Sequence, residues 1–139
     1  MKRIIFVFIS ILFFLGATKG VYAQEKQFRT SVAVRYDVSE SGDVEVNYGI
    51  TLENLVSSLY AKSFTLRLSG IEPESLAAWQ GGRELTTSQN RVDDKNTEVV
   101  VHFEDAVVGG GARREFSVSY RDRGIMTKTG EVWEATIPK

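Results

Sequence analysis

The chain has 139 residues, 17 basic and 18 acidic, with one histidine and no cysteine. That length makes one ordinary domain. The absence of any excess of basic residues argues against nucleic acid as the partner, and the missing cysteine removes disulfides, thiol nucleophiles and zinc–thiolate sites.

The first 23 residues form a targeting pattern. Met1-Lys2-Arg3 is positive, Ile4 to Gly16 is an uncharged apolar run, and Val21-Tyr22-Ala23 ends in a small residue before Gln24. This predicts a secretory signal peptide over residues 1–23, cleaved after Ala23. The run is shorter than the roughly 20 residues of a spanning helix, so membrane association is expected only if the segment is kept as an anchor. Cleavage removes Lys2, Arg3 and Lys19, leaving 116 residues with 14 basic and 18 acidic groups, a net charge of −4. An anionic membrane surface is therefore disfavoured as a partner. With neither cysteine nor an Asn-x-Ser/Thr acceptor, the exported chain reads as bacterial and extracytoplasmic, in the cell envelope or secreted.

Residues 24–139 are read as a single β-domain. Phe28, Val32, Val34, Tyr36 and Val38 share one parity, against Arg29, Ser31, Arg35 and Asp37. After the turn residues Ser39 to Asp43, Val44, Val46, Tyr48, Ile50 and Leu52 alternate with Glu45, Asn47, Thr51 and Glu53. Two such runs predict an antiparallel hairpin with one buried face. Leu55 to Lys62 has some helical spacing but is read as an exposed connection. Further strands are expected around Phe64–Leu68, Leu76–Trp79, Val99–Phe103, Phe116–Tyr120 and Trp133–Ile137. Gly70, Gly81-Gly82, Asp93 to Asn96, Gly109 to Gly111 and Lys128 to Gly130 punctuate them. Short strands at this spacing, with no convincing helical window, predict an all-β, immunoglobulin-like antiparallel β-sandwich behind the signal peptide. Pro138 breaks the last strand and reads as the start of a linker to a further module.

Catalytic constellations are lacking. His102 alternates against Val101 and Phe103, so it is expected to face solvent, and no motif supplies it with an orienting partner. Asp93, Asp94, Asn96 and Glu98 resemble a calcium loop only loosely, without the EF-hand glycine, and Asp and Asn are also ordinary turn residues. Glu40, Asp43 and Glu45, or Glu104 with Asp105, are read as solvated charges beside turns rather than a glycosidase pair. Gly109 to Gly111 opens no helix and lacks the Lys-Ser/Thr of a phosphate loop. No catalytic residue, metal or cofactor is assigned.

Four residues remain as candidates for an interaction surface. Arg113 and Arg114, with Arg121 and Arg123, form a basic group at one end of the Phe116 strand, suited to an acidic neighbour or to guarding a sheet edge. Trp79 stands beside Gln80-Gly81-Gly82 as an exposed aromatic for a glycan or peptide. Trp133, beside Val132, is read as a core or interdomain residue.

The succession Phe28, Tyr36-Asp37-Val38, Gly42, Val44-Glu45-Val46, Ile50 to Asn54, Tyr60 and Phe64 to Leu68 resembles the β-rich N-terminal region of exported bacterial transglutaminase-like proteins. Val108 to Gly111, Phe116 to Tyr120, Gly130 to Glu134 and Ile137-Pro138 continue the likeness. In that family a papain-like Cys-His-Asp domain follows. This cysteine-free chain departs from the family there, and no catalytic residue carries over. The resemblance implies an accessory module whose partner is a downstream catalytic domain or an envelope protein. The alternative is a free-standing glycan- or peptide-binding module. The first is expected to show an apolar patch near Trp133, the second an aromatic groove at Trp79.

Overall fold

The computed structural model describes residues 26–137; the signal segment and Pro138 lie outside them. The described residues form ten strands: β1 (Phe28–Val38), β2 (Val44–Asn54), β3 (Ser63–Ser69), β4 (Glu74–Gln80), β5 (Arg83–Leu85), β6 (Thr87–Arg91), β7 (Asn96–His102), β8 (Arg113–Asp122), β9 (Met126–Thr129) and β10 (Val132–Ala135). All pairings are antiparallel. A five-stranded sheet, β1-β2-β8-β4-β5, packs on a three-stranded one, β3-β7-β6, and β9 and β10 form a separate hairpin. This is the expected β-sandwich, in a strand order where the long β8 returns to lie beside β2.

The period-two pattern explains the core. Val44, Val46, Ile50 and Leu52 of β2 and Phe116, Val118 and Tyr120 of β8 point inward and are buried, as are Val99 and Val101 of β7 opposite them. Phe116 joins the layers through edge-to-face contacts with Phe64 of β3, centroids 5.4 Å apart, and with Phe103, at 5.1 Å. Residues 55–62 form an exposed connection, as the sequence suggests. Leu76 to Trp79 lie in β4, where Ser75 takes a φ of 52° at a register shift between Glu74 and Ala77.

β1 departs from expectation. Its inward parity is apolar, yet Val32, Val34 and Val38 are 50 %, 42 % and 54 % exposed. Only Phe28 and Tyr36 pack against the core. Three strands are too few to cover five, and the uncovered margin is β1. The C-terminal strand differs as well: β10 joins neither main sheet and pairs only with β9. The sequence pattern missed β5, β6 and β9, which are short or wholly polar.

Trp133 of the β9–β10 hairpin rests closely on the β1–β2 turn. Gly42 is buried with φ +85°, and a Cβ built there would lie 2.4 Å from the Trp133 ring. Gly42→Ala therefore meets both a disfavoured backbone region and a ring with no room for a methyl group. It is expected to cost roughly 1–3 kcal/mol in urea denaturation. Adding Trp133→Ala should recover the steric part of that loss and leave the backbone part.

Candidate functional site

Two exposed aromatic surfaces and one buried arginine emerge once the sheets are assembled. On the outward face of the five-stranded sheet, Ala33, Gly49, Ser117 and Trp79 sit side by side on β1, β2, β8 and β4. Small side chains on three strands leave a shallow trough, with the 43 %-exposed Trp79 as its wall and Thr51, Glu115, Gly81 and Gly82 on its border. Gly81 and Gly82 have φ of 56° and 80°, the two positive values of a type I′ turn, which fixes the β4–β5 hairpin beside the indole. A flat aromatic next to hydroxyl and carboxylate groups suits stacking on a sugar or a peptide.

The second surface is the β9–β10 hairpin. Val132 and Ile137 are each 61 % exposed and Trp133 is 39 % exposed. The inner edge of Trp133 rests on Gly42, and the Lys128 ammonium lies 5.6 Å from its ring centroid. The backbone N–H of Thr136 donates to the Ile125 carbonyl, which ties the end of the hairpin to a buried residue.

The arginines do not form the basic group inferred from sequence. β8 lies between β2 and β4, so it is a central strand and needs no edge guard. Arg113 and Arg121 stand at opposite ends of it. Arg113 is exposed and lies 3.8 Å from Glu53, while Arg123 approaches Asp43 at 3.4 Å and Glu74 at 3.5 Å. Arg114 points inward, opposite Leu52, and is buried. Its Nη1 donates to Gln80 Oε1 at 2.6 Å and Asp105 Oδ1 at 2.9 Å, and its Nη2 donates to the Asp105 carbonyl at 2.7 Å. The guanidinium lies 4.2 Å from the Phe103 ring centroid. Arg114 thus pins the long β7–β8 connection to the sheet and is not available as a surface contact.

Asp93, Glu98 and Glu104 are engaged in the same way. Asp93 Oδ1 accepts from the backbone N–H groups of Lys95 and Asn96, both at 2.8 Å, and the Asn96 amide reaches both of its oxygens. The Asn96 amide bond and then the Lys95 N–H hold its carboxyl below the usual carboxylate range. Glu98 pairs with Arg67 at 2.5 Å and Glu104 with Arg83 at 3.4 Å. His102 is exposed at the end of β7. Among the described residues, no three His, Cys, Asp or Glu side chains converge as metal ligands.

The pattern also left a tyrosine cluster unremarked. Tyr48 and Tyr120 stack at 6.0 Å, with Tyr36 beside them on the same inward face. Burial, then the neighbouring Tyr48 hydroxyl, pushes the Tyr120 phenol far above its ordinary value. Shared inward parity was the signal that could have found it.

The Arg114 hydrogen bond holds the Asp105 carboxyl below its ordinary value. Its contribution to stability is present above the carboxylate range and lost as pH falls through the lowered value. Asp105→Asn is expected to flatten the acid limb of thermal stability measured between about pH 5 and pH 2. Arg114→Ala, which also removes packing on Phe103, should cost roughly 2–4 kcal/mol in chemical denaturation. Comparison with known proteins finds no matching family model and no matching curated protein.

Proposed function

We propose that this chain is an exported bacterial β-sandwich without catalytic activity of its own, serving as an accessory interaction module of a transglutaminase-like envelope protein. It docks to a neighbouring catalytic domain or envelope protein through the C-terminal hairpin. The observation that carries this reading is the exposure of the apolar side chains Val132, Trp133 and Ile137 on and just after a hairpin that belongs to neither main sheet. A two-stranded hairpin is marginal by itself, and this one rests on the sandwich through Met126 at the edge of the core and through Trp133 against Gly42. Apolar side chains left exposed on such an element are suited to a protein surface that completes their burial.

The second reading, a free-standing module for glycan or peptide, draws on the Trp79 trough. There the small row Ala33, Gly49 and Ser117 leaves the indole open on one side.

A photoreactive residue placed at Val132 or at Trp79, in cells exporting the full chain, separates the two. Docking through the hairpin predicts a discrete protein adduct from position 132, abolished by Trp133→Ala, and none from position 79. An adduct confined to position 79, removed by excess soluble glycan or peptide, would establish the second reading instead.

A further inference from the structure

We propose that β1 is a homodimerisation edge: two copies of the chain pair their β1 strands antiparallel about Ala33, joining the two five-stranded sheets into one.

The argument begins with the state of this edge. Sheet edges are ordinarily blunted by brevity, charge or proline. β5 has three residues, β6, one outer strand of the smaller sheet, is polar throughout, and β3, the other, has seven residues, so β1 is the longest edge among the described strands. β1 has eleven residues, contains neither proline nor lysine, and carries Val32, Val34 and Val38 half-exposed on its inward face. The hydrogen-bond phase gives the direction of its free groups. The Leu55 N–H donates to the Gln27 carbonyl and the Ser39 N–H to the Asp43 carbonyl, at the two ends of the β1–β2 ladder. Odd-numbered residues therefore turn their backbone groups toward β2. Phe28, Thr30, Val32, Val34, Tyr36 and Val38 turn theirs to the side that no other described strand occupies, the open side below.

The strand matches itself. Ala33 is the midpoint of Phe28–Val38. Pairing about it sets Phe28 beside the partner's Val38, Thr30 beside the partner's Tyr36, and Val32 beside the partner's Val34. All six open-side residues then fall in hydrogen-bonded pairs, about twelve backbone bonds in an unbroken ladder. On the outward face Arg29 meets the partner's Asp37, once at each end, and Ser31 meets the partner's Arg35. Shifting the centre to Val32 sets Arg29 against the partner's Arg35, two like charges; shifting it to Val34 leaves Arg29 without its carboxylate. The charges thus select one register. A two-fold axis through Ala33 makes the interface isologous, as a closed dimer requires. Arg29 already reaches Glu53 at 3.1 Å and Asp37 accepts from Arg35 at 2.9 Å, so each new ion pair extends one already formed. The dimer also joins the two Trp79 troughs across the axis, through Ala33 and the partner's Ala33.

Because the chain has no cysteine, single introduced cysteines report the register. Ala33→Cys falls at a non-hydrogen-bonded pair on the axis, where Cα atoms are about 4.5 Å apart, within disulfide reach. Ser31→Cys or Arg35→Cys lies about 13 Å from its own copy and should cross-link only when the two variants are mixed. The purified exported chain is expected to sediment as a reversible dimer. Val34→Lys, at an exposed position that leaves the monomer's circular dichroism unchanged, should weaken dimerisation at least tenfold. A chain that stays monomeric at 100 times the protein concentration of an ordinary assay, about 100 μM, overturns the proposal. So does a dimer in which position 33 cross-links no better than positions 31 and 35 alone, or one indifferent to Val34→Lys.

Discussion

The width mismatch between the two sheets governs how this domain meets its surroundings. A hydrophobic face is buried only where another layer lies over it. The three strands β3, β7 and β6 cover β2, β8 and β4 through Phe64, Val99 and Val101, which close over Phe116 and Val118. Beyond β2 the cover ends. The inward face of β1 continues the apolar pattern of its neighbour into solvent, and Tyr36 with Phe28 marks the boundary of the packed region. The core is therefore off-centre with respect to the larger sheet, and one margin of the domain is prepared for contact.

Arg114 plays a different part within the same frame. A guanidinium on the inward face of a central strand would ordinarily be costly. Here the charge is satisfied by Gln80, the Asp105 carboxylate and the Asp105 carbonyl, while the Phe103 ring lies against its plane. Asp105 is half-exposed, so the pair sits at the end of the sandwich and water reaches one side of it. The consequence is structural. The connection between β7 and β8 carries three glycines, two of them with positive φ, and a fixed anchor at Asp105 limits how far it can wander.

Alternation made the fold legible where strands are long and have one buried face. Val44 to Leu52 and Phe116 to Tyr120 place their side chains as a period of two dictates. The same alternation in β1 carried no information about whether a second layer lies opposite, because that depends on the strand count of the other sheet. Arg114 was misread for a related reason. A charged residue beside a glycine-rich loop looks solvated until the tertiary pairing assigns it the parity of Leu52 and Phe116. Trp79 was identifiable as a surface aromatic from Gly81-Gly82, but its trough is made by Ala33, Gly49 and Ser117, which are distant in sequence and adjacent only across strands. β5, β6 and β9 have too few apolar residues to leave a periodic signature.

The pairing of β2 with β8 has a kinetic corollary. Val44 lies opposite Asp122 and Glu53 opposite Arg113, so the two middle strands of the core are contributed by nearly opposite ends of the domain. Closing so long a loop must precede the contacts that reward it, which slows folding and raises the contact order. A chain emerging N-terminus first can form the β1–β2 hairpin early, but its central sheet must wait for residue 122. Until then Val44, Val46 and Ile50 are bare to solvent, and the nascent domain is open to chaperones and to misassociation through the same valine-rich hairpin.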